Sequence, residues 1–195
     1  MYEKIKVRFE GITPLIMHNI QLANPLNPIA KAMKEISKKK KKTDTDYEAL
    51  AKLEFQGGLY LDNALEPCLP GYVIEGALNA AARTQRQGKD AQRGILCDGN
   101  FALEYDGPRE ADALWEDERF RFVQAVRVQS ARVMRTRPVF PNWAAIIDIQ
   151  FRPDVLNKTD ILKIVDIAGS DIGLLDWRPK YGRFTAEVIG SKGSR

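Results

Sequence analysis

Residues 120–151 read FRFVQAVRVQSARVMRTRPVFPNWAAIIDIQF, and their pattern decides the class of fold. Apolar and polar side chains alternate from Phe120 through Val126 and Val128 to Phe140, the period of a strand with two unlike faces. Pro138 and Pro141 break this run, and WAAIIDIQF then supplies a second, more apolar strand. The expectation is a hairpin of two long strands, the first richly basic.

The flanks of this region supply the other elements. KIKVRF at 4–9 also alternates and predicts a strand, while PLIMHNIQLANPLNP at 14–28 reads as an irregular loop. Apolar residues at 29, 33 and 36 predict a helix from Ile29 to about Lys42, and TDTDYEALAKLEF offers Asp46 as cap of another, closed by Gly57 and Gly58. After the Pro70-Gly71 turn a helix is expected with Val73, Ala77 and Ala80 or Ala81 buried, ending at Gly88. Residues 88–118 predict short strands within long loops. Downstream, Asn157 or Thr159 can cap a helix whose Ile161, Ile164, Val165 and Ala168 form one stripe, and the last residues of GLLDWRPKYGRFTAEVI alternate as a final strand. The expected class is α+β with a ferredoxin-like, RNA-recognition-motif-like β-α-β-β-α-β core of antiparallel strands. One domain over 1–195 is expected, with a helical insertion at 18–57 and an irregular one at 88–118.

Composition narrows the function. The 195 residues are 44% hydrophobic and 29% charged, close to globular averages, and no apolar run is long enough for a bilayer span, so a cytoplasmic protein with no membrane partner is expected. Two cysteines and one histidine supply too few ligands for a structural zinc site or a disulfide scaffold, and no metal or cofactor is expected. The formal charge of +4 suggests a polyanionic partner. Arg127, Arg132, Arg135 and Arg137 crowd the basic strand, and guanidinium groups both grip phosphate and stack on bases. In an extended chain Arg135 and Arg137 share a face and Arg132 lies on the other, so one site cannot use them all.

Two further segments add cations and rings. The run Lys38, Lys39, Lys40, Lys41 and Lys42 is either a solvated helix end or a nucleic-acid contact. Between Gly173 and Phe184 the glycine-bounded turn carries Trp177, Arg178, Lys180, Tyr181 and Arg183, the mixture of stacking planes and cations that an unpaired strand requires; Trp143 is a third candidate ring. Catalytic signals are poor: His18 is a weak candidate base, Asp62 a weak metal or acid–base candidate, and Ser130 has no evident base beside it.

Three of these segments resemble the RAMP superfamily of CRISPR proteins: the strand followed by Gly11-x-x-Pro-Leu15, the segment from Pro67 to Leu78, and the turn from Gly173 to Phe184. Tyr72, Val73 and Glu75 stand where that family has a serine pair and a lysine, and Asp176-Trp177 where it favours glycines. The resemblance implies a subunit that binds single-stranded RNA, possible guide RNA included, and assembles side by side as a homo-oligomer with other effector subunits in a ribonucleoprotein complex of antiviral defence. Single-stranded DNA is the other candidate ligand. Two different expectations stand beside it: a metal-independent endoribonuclease using His18, and a structural or regulatory protein of a phage or mobile element.

Overall fold

The computed structural model describes residues 1–128 and 131–190; Ser130 lies outside them. In chain order the elements begin with β1 (Glu3–Gly11), which turns Ile5, Val7 and Phe9 inward and Lys4 and Lys6 outward. A short β2 (Leu15–Ile16) and a 3-10 turn at Ile20–Ala23 interrupt the segment expected to be irregular. The helix α1 (Pro28–Ser37) starts under Asn27, whose side chain accepts from the Ile29 and Ala30 amides, and it stops before the lysine run rather than including it. In α2 (Asp44–Gly58) the cap is Thr43, not Asp46. Asp46 is the reciprocal partner, taking the Thr43 amide while Thr43 takes that of Asp46.

Next come β3 (Cys68–Pro70) and α3 (Gly71–Thr84). The buried stripe of α3 is Ile74, Ala77, Leu78, Ala81 and Ala82, so Ala77 and Ala81 face inward as expected while Val73 sits at the edge and Ile74 takes its place. Gly88 does not close α3 but opens α4 (Gly88–Gly94), so the following region is more helical than expected: β4 (Ile95–Leu96), β5 (Asn100–Glu104) and then α5 (Ala111–Glu116). The basic run divides into β6 (Arg121–Val128) and β7 (Ala131–Phe140), paired from Arg121 with Pro138 to Val128 with Ala131. The hairpin is therefore inside the run itself, and β8 (Ala144–Phe151) belongs to another sheet, a correction to the sequence reading. Finally α6 (Lys158–Ile167) is capped by Asn157, passes into a π-turn at Ala168–Ile172, and leads to β9 (Phe184–Val188).

These elements form two compact units. The first comprises 1–15, 68–106 and 142–195, with a sheet in the order β3-β5-β8-β1-β9 whose neighbours are antiparallel. Its chain order of β1, α3, β5, β8, α6 and β9 in the spatial order β5-β8-β1-β9 is the ferredoxin-like arrangement, and the α+β class stands. Ile5, Val7 and Phe9 with Ile147, Ile149 and Phe151 bury one sheet face, and Ile74 and Leu78 of α3 and Ile161 and Ile164 of α6 are buried with them. The second unit, 16–67 and 107–141, holds α1, α2, α5 and the β6–β7 hairpin. There α2 packs on α1, α5 and β7, and Phe55 meets Trp115 edge-on at 5.5 Å between ring centres. No described helix is long and apolar enough to cross a membrane.

Candidate nucleic-acid interface

In the first unit the turn between α6 and β9 is fixed by its own backbone. Gly173 and Gly182 have φ of +75° and +72°, and a Cβ on Gly182 would lie 2.1 Å from the Leu174 carbonyl oxygen, so only glycine fits. The Leu174 amide donates to the Gly182 carbonyl, and the Gly182 amide donates to that of Pro14 at 2.9 Å. Thr13 completes the clamp: its Oγ1 accepts from the Arg183 amide at 2.9 Å, while the Arg183 carbonyl accepts from Ile12. The end of β1 thus holds the turn in place.

That frame presents rings and cations together. Trp177 and Tyr181 are half-buried with ring centres 6.1 Å apart and planes inclined by 47°. Lys180 Nζ lies 5.4 Å from the Tyr181 ring centre, Arg178 and Lys180 are exposed, and Arg183 Nε donates to the Pro179 carbonyl at 2.7 Å. Trp143 takes a different role. It is 3% exposed, its indole N–H donates to the Thr13 carbonyl at 2.9 Å, and its ring fills the space where Gly11 has no side chain, so it offers no face to a base.

The solvent face of the same sheet is no stacking platform. Lys4 pairs with Asp148 at 2.9 Å and Arg8 bridges Glu10 and Glu104 at 3.1 and 2.8 Å. Phe9, Phe151 and Phe184 of these strands are buried in the core, with Phe9 and Phe184 stacked 4.1 Å apart, and Phe101 of β5 is half-buried. Glu75, which stands where a lysine was the family expectation, turns inward to accept the Cys97 amide at 2.7 Å. Burial, and secondarily the charge of Glu75, push the Cys97 thiol up to about 12, so this cysteine is held as an inert thiol.

In the second unit the arginines separate by depth. Arg127 and Arg132 are exposed and directly opposite each other across the hairpin. Two like charges in that position repel. Val123 and Met134 beside them are more than half exposed, so the outer hairpin buries little of its own. Arg135 instead binds Glu54 at 3.0 Å; Glu54 is 5% exposed and its second oxygen accepts the Thr136 amide at 3.0 Å. Sequence reasoning missed this pair, since nothing in the α2 pattern marks Glu54 except its position next to buried Phe55. Arg137 is half-buried.

The lysine run is also divided. Lys38 pairs with Glu35 at 2.5 Å, Lys39 with Asp46 at 2.6 Å, and Lys42 Nζ donates to the Ser37 and Lys39 carbonyls, closing the end of α1. The Lys39 ammonium holds the Asp46 carboxyl below its ordinary range, aided by the Thr43 amide. Lys40 and Lys41 are exposed with no ion pair among the described residues. Asp62 is occupied as well: its Oδ1 accepts from the Ala64 and Glu66 amides, organising the 61–67 turn. His18 is exposed, and its carbonyl accepts from the Tyr60 hydroxyl at 3.3 Å. Among the described residues no three acidic, cysteine or histidine side chains are grouped to hold a metal ion.

No protein family profile matches this chain, and no curated protein matches it in sequence. Among solved structures, a chain of the type III-B Cmr-beta complex bound to cognate target RNA, determined by cryo-EM, is similar with a TM-score of 0.48 and 14% identity over 96% of the present chain. The present chain spans 61% of that chain's length.

Proposed function

We propose that the protein binds single-stranded nucleic acid, RNA in preference to DNA, and holds it rather than cutting it. The observation that carries this reading is the Gly173–Phe184 turn, where Trp177 and Tyr181 stand beside exposed Arg178 and Lys180 on a backbone clamped to β1. Cations alone suit any polyanion, but aromatic rings beside them favour a strand whose bases are unpaired. The opposed Arg127 and Arg132, with Lys40 and Lys41, supply further phosphate contacts from the second unit. Together with the RAMP-like segments, this suggests a subunit that lines up along RNA in a ribonucleoprotein complex.

The test is binding of a labelled unpaired RNA, read by fluorescence anisotropy. Replacing Trp177 and Tyr181 together by alanine removes two stacking planes worth about 1–3 kcal/mol each, so affinity falls at least tenfold. Unchanged affinity in the double variant defeats the proposal.

A further inference from the structure

Between α2 and the base of the β6–β7 hairpin, the second unit holds an open groove of about 460 Å³, lined by Glu48, Ala51, Trp115, Glu118, Arg121, Val123 and Thr136. Its size lies within the ~300–1,000 Å³ of pockets that take small ligands. Inside it a cation is fixed as a flat surface. The Arg121 guanidinium carbon lies 4.9 Å from the Trp115 ring centre, and Nη2 donates to Glu118 at 3.0 Å. Phe55 braces the indole edge-on. The guanidinium lines the groove beside the indole, and a guanidinium plane can receive a planar group, as nucleobases are received by arginine.

The groove edge supplies the second half of a recognition site. Glu48 makes no hydrogen bond among the described residues; Lys52, one turn further along α2, feels its charge but is bound to Asp112 at 2.8 Å. A carboxylate accepts and cannot donate, so it selects a base edge with adjacent donors. Guanine has such an edge in its N1–H and N2 amino group. Adenine and cytosine set a ring-nitrogen acceptor next to their amino group, and uracil flanks its single N–H with two carbonyls; each would turn a lone pair toward the carboxylate.

We propose that this groove takes one unpaired guanine base, stacked on Arg121 with its N1–H and N2–H donated to Glu48. Val123 and Ala51 supply apolar contact for the ring, and Glu118 keeps the guanidinium from turning out of the stack. The inference deepens the single-strand reading by naming a base, but it can be tested without any strand.

The probe is guanosine monophosphate, with the adenosine, cytidine and uridine monophosphates as comparators, titrated into the full chain and followed through the Trp115 indole resonance. Guanosine monophosphate is expected to shift that resonance and to bind at least about fivefold more tightly than the other three, given a charge-assisted pair of hydrogen bonds. Glu48→Gln, on the exposed side of α2, should weaken it about tenfold and level the four nucleotides. Arg121→Lys keeps the charge but loses the plane, and should weaken all four together. No shift with guanosine monophosphate, equal binding of all four, or undiminished binding in Glu48→Gln overturns the proposal. An oligouridine titrated in parallel reports on strand binding alone, so its failure counts against the function proposed above and leaves the guanine result to stand or fall by itself.

Discussion

Glu54 shows how one side chain can serve two neighbours. Its carboxylate takes the Thr136 amide and the Arg135 guanidinium, so a buried strand N–H and a cation are satisfied by one acid. Glu54→Ala leaves that amide without an acceptor, at a cost of about 1–3 kcal/mol before any effect on Arg135. Glu54→Gln keeps an acceptor and should lose less; equal urea midpoints for the two variants would contradict this account. Arg135 was a candidate phosphate contact because a strand reading sees only alternation, and a partner 81 positions away leaves no trace in it. Cys97 gives a second residue-level expectation. With its thiol held up to about 12, it should resist a thiol reagent at pH 8 in the folded protein and react once urea unfolds the chain. The same shift has a defined sign for stability. From the ordinary 9.0 upward the unfolded thiol loses its proton while the folded one keeps it, so this group lowers stability as pH rises from about 9 toward 12.

At the scale of elements, the turn between α6 and β9 depends on two glycines in left-handed conformation. Gly182→Ala adds a Cβ 2.1 Å from the Leu174 carbonyl at a φ of +72°, so it should lower the melting temperature and weaken RNA binding together. A variant that melts lower yet binds RNA as before would separate the turn from the interface. The elements read correctly from sequence are those with a clean period or cap: β1 from its alternation, α6 from its stripe, and β9 from its last residues. The hairpin was not legible as such. The Gln129-Ser130 junction carries none of the glycine, asparagine or aspartate signals of a tight turn, so β6 and β7 read as one strand, and β8 was assigned as their partner. Trp143 was misjudged for a related reason: a ring beside prolines looks like a loop residue, but the bare Cα of Gly11 makes room for it in the core.

At the scale of the molecule, the ferredoxin-like order of the first unit was legible because it follows from the sequence of elements; in the second, the two helices of the 18–57 insertion were legible from their periods, while the β6–β7 pairing was not, because no glycine, asparagine or aspartate stands at 129–130. The net charge of +4 understates how the cations are used. Several, including Arg8, Lys38, Lys39, Arg121 and Arg135, are neutralised by acids within their own unit, while Lys40, Lys41, Arg132, Arg178 and Lys180 remain exposed. The most direct measurement is therefore the affinity of the full chain for a labelled RNA across a series of potassium chloride concentrations, alongside the same RNA annealed to its complement. If at least three exposed cations meet phosphates, log K for the single strand falls against log salt with a slope of about −2 or steeper. The duplex, with its bases hidden from Trp177 and Tyr181, binds at least about tenfold more weakly. A flat salt response, or a duplex held as tightly as the single strand, would contradict the account.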